Sequence, residues 1–176
     1  MKKIIAFGAS TSKNSINQKL AVFVGSKLEN IELSVLDLNN FEAPLYSIDR
    51  ETEMGIPSEI KALNSEFASA DGFVVSMAEH NGSYSAAFKN AYDWLSRLDK
   101  VVWKNKPMLL LATSPGARGG KGVLDTASAT FPRMGAELIA TFSLPSFQTN
   151  LVDNEIQDEA LKVDLDSKIE LFLKSI

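Results

Sequence analysis

The sequence predicts an α/β domain whose parallel sheet lies between two layers of helices. Three observations predict it. Short, continuously apolar runs recur along the chain, amphipathic stretches of helical length separate them, and 176 residues suit one ordinary domain rather than two. A strand that is apolar on consecutive residues is buried on both faces, and helices between such strands build parallel βαβ units.

The elements follow in order. Residues 3–8 read as a short buried strand between lysines and a glycine. Residues 15–29 place Ile16, Leu20, Ala21, Val24 and Leu28 at helical spacing, with Ser15 or Asn14 capping the start. Residues 31–37 alternate as a second strand, and residues 38–56, with Pro44, Tyr46 and Gly55, read as irregular. Pro57 fits the first turn of the next helix, whose inner face carries Ile60, Leu63 and Phe67. Gly72–Met77 is the third strand. Residues 84–98 are the clearest helix, with Phe88, Ala91, Tyr92 and Leu95 on one stripe. Pro107–Ala112 is the fourth strand, and a glycine-rich turn at 114–122 precedes another helix. Residues 137–142 supply a fifth strand, and 155–175 read as helical through Leu161, Leu165, Ile169 and Phe172. Five strands suit the flavodoxin-like order 2-1-3-4-5 in a three-layer sandwich. No repeat or linker composition interrupts residues 1–176, so one domain is expected.

Composition narrows the chemistry. A net charge of −4 argues against a nucleic-acid partner, which usually demands a basic excess. The chain has no cysteine, which removes disulfides, thiolate metal sites and a cysteine nucleophile. Its single histidine, His80, rules out a multi-histidine metal site and leaves one candidate base. The Met1-Lys2-Lys3 start precedes an apolar run too short for a signal peptide, and no run approaches the ~20 apolar residues of a membrane span. A cytoplasmic protein with a borrowed cofactor, no metal and no membrane partner is expected.

In this fold, ligands sit beyond the carboxyl ends of the strands, near the switch between strands one and three. Three loops reach that edge. Gly8–Asn17 offers hydroxyls at positions 10, 11, 12 and 15, backbone N–H groups and a helix start, which together make an anion cradle; an ordinary polar turn is the competing reading. Neither a Walker A loop nor Gly-x-Gly-x-x-Gly is present. Ala78–Ser85 contains Asn81-Gly82, a tight turn that exposes N–H groups, with His80 and Tyr84 placed beside a planar ligand. Its competing reading is a connector in which Ser83 or Ser85 caps the next helix and His80 points to water. Thr113–Gly122 holds four glycines, which let the backbone approach a ligand closely; a flexible loop with a mobile Arg118 is the alternative. A phosphate end, a planar polar end and little acid–base chemistry match flavin mononucleotide (FMN), and also a mononucleotide module without redox activity.

At these residues the chain resembles the NADPH-dependent FMN reductase family of flavodoxin-fold flavoproteins. Asn81-Gly82-Ser83 continuing into Lys89-Asn90-Ala91-Tyr92-Asp93-Trp94 is similar to the family pattern Pro-Glu-Tyr-Asn-Gly-Ser followed by Lys-Asn-Ala-x-Asp-Trp. The first loop is similar to Gly-Ser-x-Arg-x-x-Ser-x-Asn, and Ser114-Pro115-Gly116 through Gly120 to the second glycine-rich loop. The resemblance implies that Ser10, Ser12, Ser15 and Asn17 hold the FMN phosphate. It also implies that Glu79, His80, Asn81, Gly82 and Ser83 flank the ring and ribityl chain, and that Ser114, Gly116 and Gly119 line the ring's polar edge. Three residues depart from the pattern. Ser12 stands for an arginine, Ala78 for a proline that tightens the turn, and His80 for a tyrosine. The implied activity is hydride transfer from NADPH or NADH through FMN to a quinone, flavin or other small acceptor, with ping-pong kinetics and no catalytic side chain. The implied assembly is a homodimer or homotetramer, with Asp93 and Trp94 as candidates for a contact between subunits. A flavodoxin-type electron carrier that does not oxidise NAD(P)H is the alternative. A phospho-acceptor domain fits less well, because Gly8-Ala9-Ser10 stands where it needs acidic residues.

Overall fold

The computed structural model describes residues 1–176. The chain runs β1 (Lys2–Ala9), α1 (Ile16–Ser26), β2 (Ile31–Val35), α2 (Ile48–Met54), α3 (Ser58–Ser69), β3 (Gly72–His80) and β4 (Ser83–Tyr84). It continues through α4 (Ala86–Leu98), β5 (Lys106–Thr113), α5 (Lys121–Thr130), β6 (Ala136–Leu144), α6 (Phe147–Asn150), β7 (Leu151–Val152), β8 (Glu155–Ile156) and α7 (Glu159–Leu173). The sheet order is β2-β1-β3-β5-β6, all parallel, which is the expected order of the five main strands. The two-residue β4 lies antiparallel against the end of β3, and β7 and β8 form a separate hairpin.

Alternation along each strand divides the core. Ile5 and Phe7 of β1, with Met108, Leu110 and Ala112 of β5, face α3, α4 and α5. Ile4 and Ala6, with Leu109 and Leu111, face α1 and α7, where Leu20, Val24, Leu165 and Phe172 meet them. The first face is rich in aromatic rings. Trp103 stacks on Phe67 at 5.2 Å between centroids and lies 4.7 Å from Phe131. Tyr92 joins the same group, and burial pushes its hydroxyl pKa up to about 12.

The structure moves several expected boundaries. Residues 38–56 are not wholly irregular: Leu38–Phe41 makes a 3-10 turn, and Ile48–Met54 is a helix. That helix has no apolar stripe. It begins where the Ser47 hydroxyl accepts from Arg50 N–H, and its Glu51 carboxylate takes hydrogen bonds from Arg97 and from the Tyr46 hydroxyl, both at 2.9 Å. Those two bonds, Arg97 first, hold Glu51 below the usual carboxylate range. Pro57 occupies the residue before α3 rather than its first turn, with ψ of 146°. Tyr84 belongs to β4, so α4 starts two residues later than expected, with Ser85 as its cap. Residues 155 and 156 are in β8, and α7 begins after Asp158, whose carboxylate accepts from Leu161 N–H.

Candidate functional site

The carboxyl ends of β1, β3 and β5 meet around a cavity of about 230 Å³. Ser10, Ser12, Asn14, Ser15 and Asn17 form one wall, Ala78, Glu79 and His80 a second, and Thr113, Ser114 and Pro115 the third. The first wall is the turn from β1 into α1. Gly8 begins it, because a Cβ there would overlap the backbone of Asn17 and Gln18, so only glycine lets the helix start so near the strand. Ser15 caps α1 by accepting from Gln18 N–H at 3.1 Å. Ser12 N–H donates to the Ser10 hydroxyl, and Ser15 N–H to the Ser12 carbonyl. The N–H groups of Thr11, Lys13, Asn14, Ile16 and Asn17 donate to no group of the chain. Five donors at a helix start are thus left without an acceptor in the chain, which is the arrangement an anion requires.

The second wall ends in a hairpin. Asn81 and Gly82 have φ of 52° and 76°, the pair of left-handed residues that a two-residue turn needs, and they bring Ser83 back opposite His80. This turn is well defined despite Ala78, which is buried within β3 as ordinary sheet. Asn81, Gly82 and Ser83 are exposed and lie outside the cavity, at its rim. In the third wall, Gly116 is open to solvent, with only the Ser114 hydroxyl at 4.0 Å from a Cβ built on it. Gly119 does not face the cavity. Its φ is 58°, and it lies against Ser143 and Pro145, where any Cβ would collide.

Two expected ligand residues spend their side chains on the fold. The Asn17 amide accepts from the Ser76 hydroxyl at 2.7 Å and from Thr113 N–H at 3.0 Å, and donates to the Thr113 carbonyl at 3.2 Å. It therefore ties α1 to β3 and β5, with its carbonyl oxygen and one amide hydrogen committed to the fold. The Glu79 carboxylate accepts from Val123 N–H at 3.1 Å, which caps the first turn of α5 and commits one of its oxygens to that helix. Thr113 opens the third loop, and its part in the site is not visible from its sequence neighbours. It is buried and resembles any strand terminus until Asn17, 96 positions earlier, is seen bonded to it.

A second cavity, of about 290 Å³, lies on the other side of Thr11, bounded by Leu38, Phe41, Ala43, Ala87 and Ala91. Its outer wall explains the Lys-Asn-Ala-x-Asp-Trp segment. Asn90 accepts from Tyr46 N–H at 2.8 Å and donates to the carbonyls of Ala43 and Pro44, while Trp94 Nε1 donates to the Pro44 carbonyl at 2.7 Å. Lys89 pairs with Asp93 at 2.7 Å. Trp94 and Trp103 are both fully buried within this chain, so neither stands ready for a subunit contact. Asn90→Ala is expected to cost about 2 kcal/mol by removing three bonds from a half-exposed site. Hydrogen exchange at Tyr46 N–H checks it, with faster exchange there while β1 and β3 amides stay protected.

A parallel sheet in this order, with a turn of unpartnered N–H groups at its switch point, defines a flavodoxin-like α/β protein. The chain belongs to the NADPH-dependent FMN reductase family, whose model matches residues 2–149. It is 33% identical over 122 residues to a quinone reductase of Escherichia coli (strain K12), covering 67% of this chain and 63% of that protein. It is 33% identical over 119 residues to a 2-hydroxy-1,4-benzoquinone reductase of a Burkholderia species, covering 66% and 63%. The chain thus spans a little under two thirds of these relatives' own length. Among solved structures, the flavoenzyme FerB, an NAD(P)H:(acceptor) oxidoreductase from Paracoccus denitrificans, superposes with a TM-score of 0.75 at 23% identity, covering 99% of both chains. A flavodoxin variant from Pseudomonas aeruginosa superposes at 0.58 with 16% identity, covering 99% and 98%. At such identities these two show the shared fold. No helix of the chain is long and apolar enough to cross a membrane.

The residues present fit FMN. The free N–H groups at the start of α1 suit a phosphate monoester, and the unpartnered N–H groups of Asn81, Gly82, Ser114 and Gly116 suit the polar edge of a flat ring.

Proposed function

We propose that this chain oxidises NADPH or NADH on bound FMN and passes the electrons to a quinone, a free flavin or another small acceptor in a ping-pong cycle. The observation that supports this reading most is the set of free backbone donors around the switch-point cavity, in a member of a family whose description names both FMN and NADPH. When bound, FMN supplies the hydride acceptor and the electron donor; the protein supplies binding, orientation and electrostatics.

In this reading, the Ser12 hydroxyl and the N–H groups of Lys13, Asn14, Ile16 and Asn17 hold the phosphate. Ser10 and Ser15 shape that turn through their own hydrogen bonds. His80, with Asn81, Gly82 and Ser83 at the rim, flanks the ring and ribityl chain, and Ser114 and Gly116 meet its polar edge. Glu79 and Gly119 act by fixing α5 and the 114–120 loop. No side chain serves as nucleophile. Residues 1–176 act as one FMN-binding domain, in the cytoplasm, as a homodimer or homotetramer, and light scattering after gel filtration reads the assembly directly.

The test is an absorbance spectrum of the purified protein reconstituted with FMN, then anaerobic addition of NADPH and of NADH. Uptake of one FMN per chain and bleaching of the flavin band are expected, followed by recovery on adding benzoquinone. Parallel lines in double-reciprocal initial-rate plots would establish the ping-pong order. FMN uptake without bleaching would instead favour the electron-carrier reading, and a protein that takes up no FMN would sink both.

A further inference from the structure

The hairpin after β3 and the glycine-rich loop after β5 come from different parts of the chain, yet they meet at the start of α5. The N-cap of that helix is Gly120, which has no side chain to satisfy the first N–H groups. Glu79 supplies the missing acceptor from β3, 44 positions earlier, through its bond with Val123 N–H at 3.1 Å. Gly122 makes this approach possible. A Cβ there would overlap the Glu79 carboxylate, and the Gly82 carbonyl lies 3.9 Å from the same point, so the Asn81-Gly82 hairpin rests against the first turn of α5. The other side of the glycine-rich loop is anchored to the β6–α6 corner. There the Gly116 carbonyl accepts from Ser146 N–H and the Gly119 carbonyl from the Ser143 hydroxyl, both at 2.9 Å. At the far end of α5, the Tyr84 hydroxyl bonds with the Thr130 hydroxyl at 2.7 Å and keeps β4 in place. Glu79 is therefore the side-chain link at the start of the helix, and it also lines the switch-point cavity.

We propose that Glu79 is a positioning residue for the flavin ring. Its carboxylate latches the hairpin to α5 and so fixes the span between two sets of free donors, the N–H groups of Asn81 and Gly82 and those of Ser114 and Gly116. The proposal rests on the FMN-binding reading. Donors held at a set spacing bind a flat, rigid ring without first being ordered, whereas loose loops must lose that freedom on binding. The phosphate cradle at the start of α1 lies on the other side of the cavity and does not use the latch. Ring affinity therefore depends on Glu79, and phosphate affinity does not.

The test uses titration calorimetry with FMN and, separately, with inorganic phosphate. Glu79→Gln removes the charge but keeps an oxygen that can accept from Val123 N–H, and Glu79→Ala removes both. Gly122→Ala keeps the charge but pushes the flexible end of the acid off the helix; alanine favours a helix over glycine, so α5 is expected to stay folded. Glu79→Ala should bind FMN about tenfold more weakly than Glu79→Gln, the worth of one hydrogen bond to a positioned acceptor. Gly122→Ala should bind FMN about tenfold more weakly than the wild-type protein, for the same reason. The double variant Glu79→Ala, Gly122→Ala should be no weaker than Glu79→Ala alone, because a latch can be opened only once. Affinity for inorganic phosphate should be the same in all five proteins. Equal FMN affinity of Glu79→Ala and Glu79→Gln, additive losses in the double variant, or a matching fall in phosphate affinity would each overturn the inference while leaving the FMN reading standing. Failure of the wild-type protein to bind FMN would remove that reading, and this inference with it.

Discussion

Asn17→Leu is expected to lower the unfolding free energy by about 3 kcal/mol, because three hydrogen bonds vanish from a place that water reaches poorly. Ser76 and Thr113 are 0% and 1% exposed, so the Ser76 hydroxyl and Thr113 N–H keep their desolvation penalty and lose their acceptor. Leucine is nearly the same size, so the loss reports on polar satisfaction more than on a cavity. Urea unfolding followed by circular dichroism measures it. FMN affinity should fall as well, since Asn17 sets where the free N–H groups of the β1–α1 turn point relative to β5. A loss under about 1 kcal/mol would show that the amide is not the tie between α1, β3 and β5 described above.

Trp103→Ala should have the largest effect on stability, about 4 kcal/mol. The ring is fully buried and touches Phe67, Phe73, Tyr92 and Phe131, with centroids 4.7 to 5.9 Å away. Alanine leaves a void that no neighbour fills without leaving its own partners, and it strips the Tyr92 hydroxyl of its Nε1 donor at 3.3 Å. Trp103→Phe keeps most of the contact and should lose about half as much. A pair of guanidinium melts distinguishes the two variants, and equal losses would mean that the indole nitrogen, not the ring volume, carries the effect.

The sheet was legible because its central strands are apolar on consecutive residues, a pattern that only burial on both faces explains. Ile4–Phe7 and Leu109–Ala112 carry that signal without help from the rest of the chain. Residues 48–54 carry none. The helix there has no buried residue, and what holds it is Glu51 meeting Arg97, 46 positions away. The site divides in the same way. Its backbone donors could be read from serines, glycines and a helix start, since they depend on local conformation. The roles of Asn17, Glu79 and Gly119 depend on partners 96, 44 and 24 residues distant, and no local pattern encodes those distances. Trp94 is instructive because its motif suggested a subunit contact. The indole is instead enclosed by its own chain and bonded to Pro44.

Both tryptophans sit on the α3–α5 side of the sheet, and the α1–α7 side has none. The protein's ultraviolet emission is therefore a one-sided reporter. Trp94 watches the wall at Pro44, and Trp103 watches the centre of the ring cluster, but detachment of α7 would leave both in their places. An unfolding curve recorded by fluorescence can thus stay flat while the opposite layer frays. Circular dichroism recorded on the same sample, or a tryptophan placed at Phe172, would make the silent half visible.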